Sequence, residues 1–412
     1  MSGLKVLMLS WEFPPNISGG LGVACYGLSR ALARQGAKIT FVVPSPVPRS
    51  PRFLRLISSQ SIAIEKSESS QQKELDFEQF PSAYFDPDEY QLWLQEAYDS
   101  GYSKVQIYGP DLFSEIERFS RAVAELAERE YFDIIHCHDW LTIKAGIEAK
   151  KRLGCPLVFH IHSIEYDRNP TPNPKICELE RQGVGFADVV ICVSNYTKRR
   201  VMEFYQAPES KLRVIYNGIE LKTSSPPLRS KKKRKRFQQI IFLGRLTWQK
   251  GPEYFIETAR LMLEKRRDLR FIFIGWGDLV YQLVERVAEL GLGSHILFAG
   301  FLEERAVKKL VSRSDLFLLT SVSEPFGLAV LEAIIQGVPA VISAQSGVSE
   351  ILEAVPRANY WESERYCEYA LELLSSPELC QKQILSSWEK IKEFSWDRAG
   401  RLCREQYQKL LV

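Results

Sequence analysis

The sequence predicts an α/β protein of two doubly wound, Rossmann-like domains that face each other across a cleft. Three observations indicate this fold class. Short apolar runs alternate with helical patterns in the first part of the chain, the alternation restarts after residue 237, and a polar, highly charged segment separates the two parts. A chain of 412 residues also exceeds what one core normally organises, so two domains are expected from length alone.

The predicted strands of the first domain are continuous apolar runs instead of alternating ones. This pattern is typical of parallel strands that helices cover on both faces. We predict strands at 5–10, 38–43, 133–138, 156–162, 188–194 and 212–218, and helices at 20–35, 114–130, 141–153 and 195–205.

A second set of apolar runs repeats this pattern. Its strands are predicted at 239–246, 269–275, 295–300, 315–321 and 339–343. Proline, serine and charge in TSSPPLRSKKKRKRF are typical of a linker. We therefore divide the chain into a first domain at 1–222, a basic linker at 223–237, a second domain at 238–394 and a closing helix at 395–412.

Two regions depart from the α/β pattern. Prolines predict irregular structure at 44–53, and the polar stretch 58–78 is expected to be a surface excursion. The sequence does not indicate what residues 44–110 do. The basic run 229–236 fits a solvated spacer, with contact to anionic lipid or a nuclear address as the alternatives.

Composition indicates a soluble, cytoplasmic protein. Hydrophobic residues make up 45% of the chain and charged residues 25%, and a net charge of +3 does not indicate a nucleic-acid partner. Eight cysteines without a C-x-x-C pair suggest reduced, packed thiols. The first apolar run is too short for a signal peptide, and no run reaches membrane-spanning length, so no membrane insertion is expected.

The stretch SEPFGLAVLEAIIQGVPAVIS at 323–343 predicts a helix that begins close to Glu324. Backbone N–H groups after Pro325, with Gly327 leaving room beside them, suit a bound anion. Glu324 and Glu332 would repel a phosphate, yet they can accept hydrogen bonds from the hydroxyls of a sugar and a ribose. The alternative is a capping carboxylate and an ordinary surface acid.

Two further stretches carry features suited to phosphate. GRLTWQKG at 244–251 places Arg245 and Lys250 near a strand's carboxyl end, where two cations suit a diphosphate leaving group, or else are surface charges. Gly19, Gly20 and Gly22 follow the first strand as a phosphate cradle would. Cys25 stands where a dinucleotide fingerprint needs a small residue, which disfavours a nicotinamide enzyme.

Four of the five histidines form two i, i+2 pairs at predicted strand ends. His136 pairs with His138, which Asp139 follows, and His160 pairs with His162. Since i and i+2 share a face of a strand, a metal site is one interpretation. The other, which we favour, places cleft residues and packed neighbours at these strand ends without a metal.

Together these stretches resemble the GT-B glycosyltransferases of family 4, most closely the bacterial and archaeal glycogen (starch) synthases. The resemblance covers nearly the whole chain. Its last element contains the family's E-x7-E signature, with Glu324 and Glu332 as the acids. The matching stretches are SWEFPPNISGGLG, HCHDW, HIHSIEY, VSNYTKR, VIYNGIE, GRLTWQKG and SEPFGLAVLEAIIQGVPAV.

The resemblance implies a hexosyltransferase with the GT-B fold and assigns roles to the matching residues. Arg245 and Lys250 would hold the leaving diphosphate, while Glu324 and His162 would contact the transferred sugar. Glu332 would accept hydrogen bonds from the ribose. Further donor contacts are expected from Gly19, Gly20, Leu302, Phe326, Gly327 and Leu328, and the acceptor side is expected to be lined by His138 and Asp139.

Family chemistry implies a retaining reaction that needs neither metal nor cofactor, with a nucleotide-diphosphate sugar such as ADP-glucose or UDP-glucose as co-substrate. The expected acceptor is an α-glucan. Glycogen synthases usually carry a lysine in a K-x-G-G stretch, whereas here Ser18 precedes Gly19 and Gly20 and the stretch has no lysine. This departure keeps a lipid or small-molecule acceptor as the alternative. The sequence also leaves open the donor sugar, the base, the linkage and the oligomeric state. A non-catalytic glycan-binding or nucleotide-sugar-binding protein is disfavoured, because it would not need Arg245, Lys250 and both acids.

Overall fold

The computed structural model describes residues 3–411 except 15, 18, 47–49, 63–110, 222, 224 and 228–235. Three features of the sequence therefore lie wholly or mostly outside the described residues: Ser18, the polar stretch at 58–78 and the basic run at 229–236. Within the part that is described, no helix is both long and apolar enough to cross a membrane.

Seven strands of the described residues form the first sheet, in the order β3-β2-β1-β4-β5-β6-β7, and neighbouring strands pair in parallel. The order reverses between β1 and β4, which opens a crevice at their carboxyl ends. The strands are β1 (Lys5–Leu9), β2 (Lys38–Val43), β3 (Arg55–Ser58), β4 (Ile134–His138), β5 (Leu157–Ile161), β6 (Val189–Cys192) and β7 (Leu212–Val214).

The second sheet is also parallel and, in the same described residues, has the strand order β10-β9-β8-β11-β12-β13. Its reversal lies between β8 and β11, so it too has a crevice at the carboxyl ends of its central strands. The strands are β8 (Gln238–Leu243), β9 (Leu269–Ile274), β10 (Ile296–Phe298), β11 (Leu316–Leu319), β12 (Ala340–Ser343) and β13 (Arg357–Ala358).

Helices cover both sheets, and the central strands β4, β5, β11 and β12 are buried at every position. The first sheet carries α1 (Gly20–Arg34), α2 (Leu112–Arg129), α3 (Trp140–Leu153), α4 (Glu165–Arg168), α5 (Pro174–Phe186) and α6 (Asn195–Tyr205). The later helices are α7 (Pro252–Lys265), α8 (Val280–Glu289), α9 (Glu304–Arg313), α10 (Leu328–Ile335), α11 (Ser363–Ser375), α12 (Pro377–Ile391) and α13 (Trp396–Leu410).

The last helix, α13, returns to the first sheet and packs against α1. Ala399, Cys403 and Tyr407 form its buried face and belong to the same apolar cluster as the inner face of α1. A Cβ on Gly27 would lie 2.3 Å from Cδ2 of Trp396, so glycine is what lets the two helices approach. The chain therefore crosses between the two sheets twice, once before β8 and once before α13.

The predicted α/β fold class is confirmed. Several predicted strands end earlier than expected: the strand predicted at 239–246 ends at residue 243, and the one predicted at 212–218 ends at 214. The apolar residues that follow, Ile215 and Leu246, are buried in loops of the two cores, and burial in a loop has the same sequence pattern as burial in a strand. Two edge strands, Arg55–Ser58 and Arg357–Ala358, had no prediction, since each is too short to establish a period.

The eight cysteines are free thiols, and all except Cys380 are buried. Several lie within apolar strands, as Cys137 does in β4 and Cys192 does in β6. They therefore act as small packing side chains in this fold.

Candidate active site

The predicted site residues converge on one cleft. In the first sheet they follow β1, β4 and β5, and in the second they follow β8 and β11, so both sets lie at the reversal points described above. The start of α1 also comes close to the start of α10, because a Cβ on Gly20 would lie 3.8 Å from Cδ1 of Leu328. The two crevices thus open towards each other.

Lys250 and Glu324 form an ion pair within this cleft. Lys250 Nζ lies 2.7 Å from Glu324 Oε2, and the two side chains are 20% and 11% exposed. Ser321 Oγ donates to the same carboxylate oxygen at 3.3 Å. Glu324 is also fixed through its backbone, since its N–H donates to Gln345 O and its carbonyl accepts from Gly347 N. The carboxylate therefore has a defined position before any ligand arrives.

The helix that carries the second acid begins later than the sequence predicted. Helix α10 starts at Leu328, so Glu324 lies in the preceding loop, where it forms a bridge with Ser346. Pro325 cannot continue a helical hydrogen-bond pattern, and Gly327 adopts φ 104°, a left-handed conformation that starts the helix. The predicted helix start near Glu324 is therefore wrong by about one turn.

Three backbone N–H groups remain available at this helix start. The amides of Phe326, Gly327 and Leu328 make no hydrogen bond to any described residue. A Cβ on Gly327 would lie 2.9 Å from Cγ1 of Val348, so a side chain at this position would crowd the loop. Free amides at a helix N-terminus favour an anion, as the sequence predicted for this segment.

Glu332 occupies the second turn of α10 and is partly buried. Burial raises the pKa of its carboxyl group, and nearby Lys308 opposes that shift. The carboxylate makes no hydrogen bond to a described residue, so it can accept one from an uncharged hydroxyl donor.

Arg245 lies in the loop after β8, and its exposed guanidinium makes no ion pair with a described residue. The loops after β9 and β10 lie beside it, because Leu246 N donates to Trp276 O and Gly275 N donates to Gly300 O. Leu302 follows in the third of these loops. The predicted donor residues of the second domain are thus brought to one edge of its sheet.

The glycines after β1 divide into two groups. Gly19 and Gly20 are exposed at the start of α1, and an added Cβ on Gly19 would meet no atom within 4 Å. A Cβ on Gly22 would instead lie 2.1 Å from Cγ2 of Ile17. Gly22 is therefore explained by close packing, while Gly19 and Gly20 leave the backbone open to the cleft.

The four strand-end histidines form one stacked block. His136 and His138 stack with ring centroids 4.5 Å apart, as do His160 and His162. Across the two strands, His136 Nε2 lies 3.2 Å from His160 Nδ1, and His138 Nδ1 lies 2.9 Å from His162 Nε2. His136 Nδ1 also bonds the hydroxyl of Tyr407, which ties the block to α13.

Burial lowers the pKa of all four imidazoles, to about 3 for His162, so each ring is neutral at pH 7. His162 is the member that remains partly exposed in the cleft. A neutral imidazole there can exchange hydrogen bonds with a sugar hydroxyl, and it carries no charge that would attract the diphosphate.

Asp139 orients the loop that contains His162. Its Oδ1 accepts from His162 N at 2.7 Å, and its own backbone has the unusual φ of 57° for a residue other than glycine. Burial raises the pKa of this carboxyl to about 6, against the opposing effect of Arg168. Asp139 is therefore buried, and its carboxylate contacts the backbone of the loop and positions it.

Two overlapping groups of side chains have donor atoms close enough for a metal ion. The atoms of Cys25, His138 and His162 lie within 4.8 Å of one another, as do those of His136, His138 and His160. The Nε2 atoms of His138 and His160 are buried without a hydrogen-bond partner among the described residues. The two cross-strand bonds and the bond from His136 Nδ1 to Tyr407 use the other nitrogens of this group, so a metal bound through those nitrogens would displace existing hydrogen bonds.

Some cleft residues had no sequence prediction. Glu12, which precedes Phe13 and the first glycines, is buried and acts electrostatically on His162 and Asp139. Ser321 bonds Glu324, and Gln249 Nε2 donates to Ser163 Oγ at 3.4 Å across the cleft. Serine and glutamine are common on any surface, so only the fold could assign these contacts.

Comparison with known proteins assigns the family. The model described as starch synthase catalytic domain matches residues 5–213, and the model described as glycosyl transferases group 1 matches residues 226–384. The chain is a GT-B glycosyltransferase. The recognised resemblance is thereby confirmed, and the two matches meet at the first crossing between the sheets.

Curated relatives of this glycosyltransferase differ in their substrates. An uncharacterized glycosyltransferase of Methanocaldococcus jannaschii is 29% identical over 85% of this chain and 83% of that protein. A glycogen synthase of Mycobacterium tuberculosis is 24% identical over 84% of this chain and 80% of its own. An Escherichia coli α-1,3-galactosyltransferase acting on GlcNAc-diphosphoundecaprenol is 27% identical over 54% of this chain and 60% of its own.

Solved structures share the fold along the full length of the glycosyltransferase. Sucrose-phosphate synthase of Thermosynechococcus elongatus matches with a TM-score of 0.74 and 17% identity, covering 99% of both chains. The catalytic domain of starch synthase IV from Arabidopsis thaliana matches with a TM-score of 0.69 and 17% identity, covering 100% of both. These likenesses show the two-domain GT-B architecture.

Proposed function

We propose that this glycosyltransferase moves glucose, or a related hexose, from a nucleotide-diphosphate sugar to an α-glucan, with retention of configuration and without a metal ion. The observation that carries the proposal is the arrangement around Glu324. A cation at Lys250 and three free amides at 326–328 adjoin a fixed carboxylate in one cleft. Anion and sugar recognition are thus combined in one place.

The charged groups supply what a leaving diphosphate requires. Lys250, the exposed Arg245 and the dipole of α10 stabilise negative charge as it develops on the departing phosphates. In metal-dependent transferases a divalent ion performs this task. Glu324 holds hydroxyls of the transferred hexose, and Glu332 accepts hydrogen bonds from the ribose.

We expect the acceptor to bind to the first domain, beside His138 at the end of β4 and Asp139 directly after it. His162, which follows β5, is expected to contact the transferred sugar. None of these is a charged base poised at the cleft, since burial keeps the histidines neutral and Asp139 is bonded to backbone. We infer that the leaving diphosphate itself removes the proton of the attacking hydroxyl on the same face of the sugar, which gives retention.

Two comparisons support an α-glucan acceptor. Residues 5–213 match the starch synthase catalytic domain, and one relative is a glycogen synthase. A lipid-linked acceptor is the second candidate, because the galactosyltransferase relative acts on such a molecule. We further expect the enzyme to act in the cytoplasm, where nucleotide sugars and reduced cysteines are found together.

The test is a panel of ADP-, UDP- and GDP-sugars incubated with the protein, with glycogen, with undecaprenyl-diphosphate sugar, and alone. We expect nucleotide release and α-linked chain growth only with a glucose donor and glycogen, unchanged by EDTA. The anomer of the product, read by NMR, checks retention. Transfer confined to the lipid acceptor would replace the glucan assignment, and a rate abolished by EDTA and restored by a divalent ion would overturn metal independence.

A further inference from the structure

The first domain makes direct hydrogen bonds to the loop 323–327, which carries Glu324 and Gly327. The hydroxyl of Tyr196 on α6 donates to Ser323 Oγ at 2.9 Å. Ser194 Oγ, at the N-cap of α6 two residues earlier, donates to the carbonyl of Pro325 at 2.6 Å. The loop is therefore held at two points on either side of Glu324 by a helix of the opposite domain.

Ser323 extends this contact deeper into the first domain. Its hydroxyl donates to Oδ1 of Asp167 at 2.9 Å, and Asp167 is fully buried on α4. Arg200 Nε lies 3.0 Å from the same oxygen, while the other carboxylate oxygen accepts from Ile164 N at 3.1 Å. Asp167 is thus fixed by its own domain and presents one oxygen to Ser323.

A second set of contacts joins the two domains beside the loop. The carboxylate of Glu350 accepts from the first amides of α6, and the hydroxyl of Tyr216 donates to it at 2.9 Å. A Cβ on Gly347 would lie 2.2 Å from Pro325 O and 2.7 Å from Ser194 Cβ. The segments therefore approach as closely as glycine permits.

We propose that Tyr196 and Asp167 are positioning residues that set the geometry of the 323–327 loop, so that the first domain controls the placement of Glu324 and of the free amides. The inference rests on the proposed role of that loop in donor binding. Neither side chain needs to touch substrate. Both act through Ser323, which precedes Glu324, and small displacements of a reacting geometry cost large factors in rate.

Single-atom variants test this inference on the full chain. Tyr196→Phe removes the hydroxyl and keeps the ring, and Ser323→Ala removes the group that links Tyr196 to Asp167. Each should lower kcat about ten-fold and also raise the KM for the donor, because the displaced loop carries the amides proposed to bind the diphosphate. Tyr216→Phe is the matched control, because it removes a hydroxyl from the same interface that bonds Glu350 and Asn195 instead of the loop.

The double variant Tyr196→Phe/Ser323→Ala should be no slower than the slower single variant, because both changes remove the same hydrogen bond between Tyr196 and Ser323. Additive losses of kcat would overturn the inference, as would an equal loss in Tyr216→Phe. A uniform fall in thermal stability that accounts for the lost activity would also contradict a positioning role.

Amide hydrogen exchange supplies a readout that needs no substrate. We expect peptides covering 321–331 to exchange faster in Tyr196→Phe and Ser323→Ala than in the unmodified chain, with no such change in Tyr216→Phe. Unchanged exchange would overturn the inference even if transfer activity is found. If no donor reacts, the proposed function fails by itself, and the exchange result still decides whether the first domain fixes the loop.

Discussion

Lys250 and Glu324 belong to different loops, one after β8 and one after β11, yet Nζ and Oε2 lie 2.7 Å apart. The pair places a cation and a hydroxyl acceptor side by side at the reversal point of the second sheet. A nucleotide sugar has complementary groups in the same order, because its diphosphate, which suits the cation, is next to a hexose, whose hydroxyls suit the acceptor. In the function we propose, the pair would bind at the junction of diphosphate and hexose, where the bond breaks.

Replacing Lys250 by alanine should lower turnover by roughly 10²–10³, the usual cost of removing a group that stabilises charge in the transition state. The measurement is kcat for nucleotide release from the donor that the panel identifies. Arg260→Ala is a suitable control, because this arginine pairs with Glu257 and Glu264 on α7, away from the cleft. Near-normal turnover in Lys250→Ala would remove the residue from the reaction.

Glu332→Ala should chiefly weaken nucleotide binding, about ten-fold or more, since a hydrogen bond to a charged acceptor is lost. The dissociation constant of ADP or UDP, measured by calorimetry, reports this directly. Burial raises the pKa of Glu332, so affinity should also fall as pH drops through that raised pKa and the carboxyl becomes protonated.

Glu304→Ala is the control for this experiment. It removes an acid on α9 whose negative charge raises the pKa of Glu332. Its removal should leave the affinity intact or slightly improved. Equal losses in both variants would show that general charge, and not a ribose contact, explains the effect.

Much of this fold was predictable because buried parallel strands have an unambiguous pattern. Continuous apolar runs predicted the strands of both sheets except the short edge strands β3 and β13, and glycine and proline marked loops that line the cleft. The E-x7-E spacing brought Glu324 and Glu332 together as candidates. It did not show that the helix begins at Leu328, because Pro325 can stand either before a helix or in its first turn.

The remaining cleft contacts are relationships between distant segments, which no local pattern encodes. Tyr196 and Ser323 are 127 positions apart in the chain and meet only because two domains pack together. The stacking of four histidines likewise follows from the register in which His138 of β4 pairs with His160 of β5. Sequence spacing placed each pair on one face, and strand pairing made them one block.

Gly327→Ala tests whether the helix start needs a bare backbone. A left-handed φ of 104° costs a residue with a Cβ about 1–2 kcal/mol, and contact with Val348 adds to that. We expect lower stability in denaturant and weaker nucleotide-diphosphate binding together. Gly291→Ala is the control, because Gly291 also has a positive φ of 66° but open space around it. It should lose stability while retaining the affinity.

The histidine block predicts how stability depends on pH. Burial lowers the pKa of His136, His138, His160 and His162 in the folded state, so the unfolded chain binds more protons below its ordinary histidine pKa near 6.5. The contribution of the four histidines to the free energy of unfolding is therefore fully present above pH 6.5 and decreases as the pH falls below it. Between pH 6.5 and 5.5, each of these histidines should lower the free energy of unfolding by about 1 kcal/mol.

Denaturant unfolding at pH 7.5, 6.5 and 5.5 measures this loss, with the slope giving the proton uptake on unfolding. His160→Asn should reduce the slope by about one proton, because asparagine can replace the bond to His136 Nε2 without titrating. The variant should then be less sensitive to acid than the unmodified chain, even if it is less stable at pH 7.5. An unchanged slope would mean that His160 is protonated in the folded state, and the neutral block would have to be abandoned.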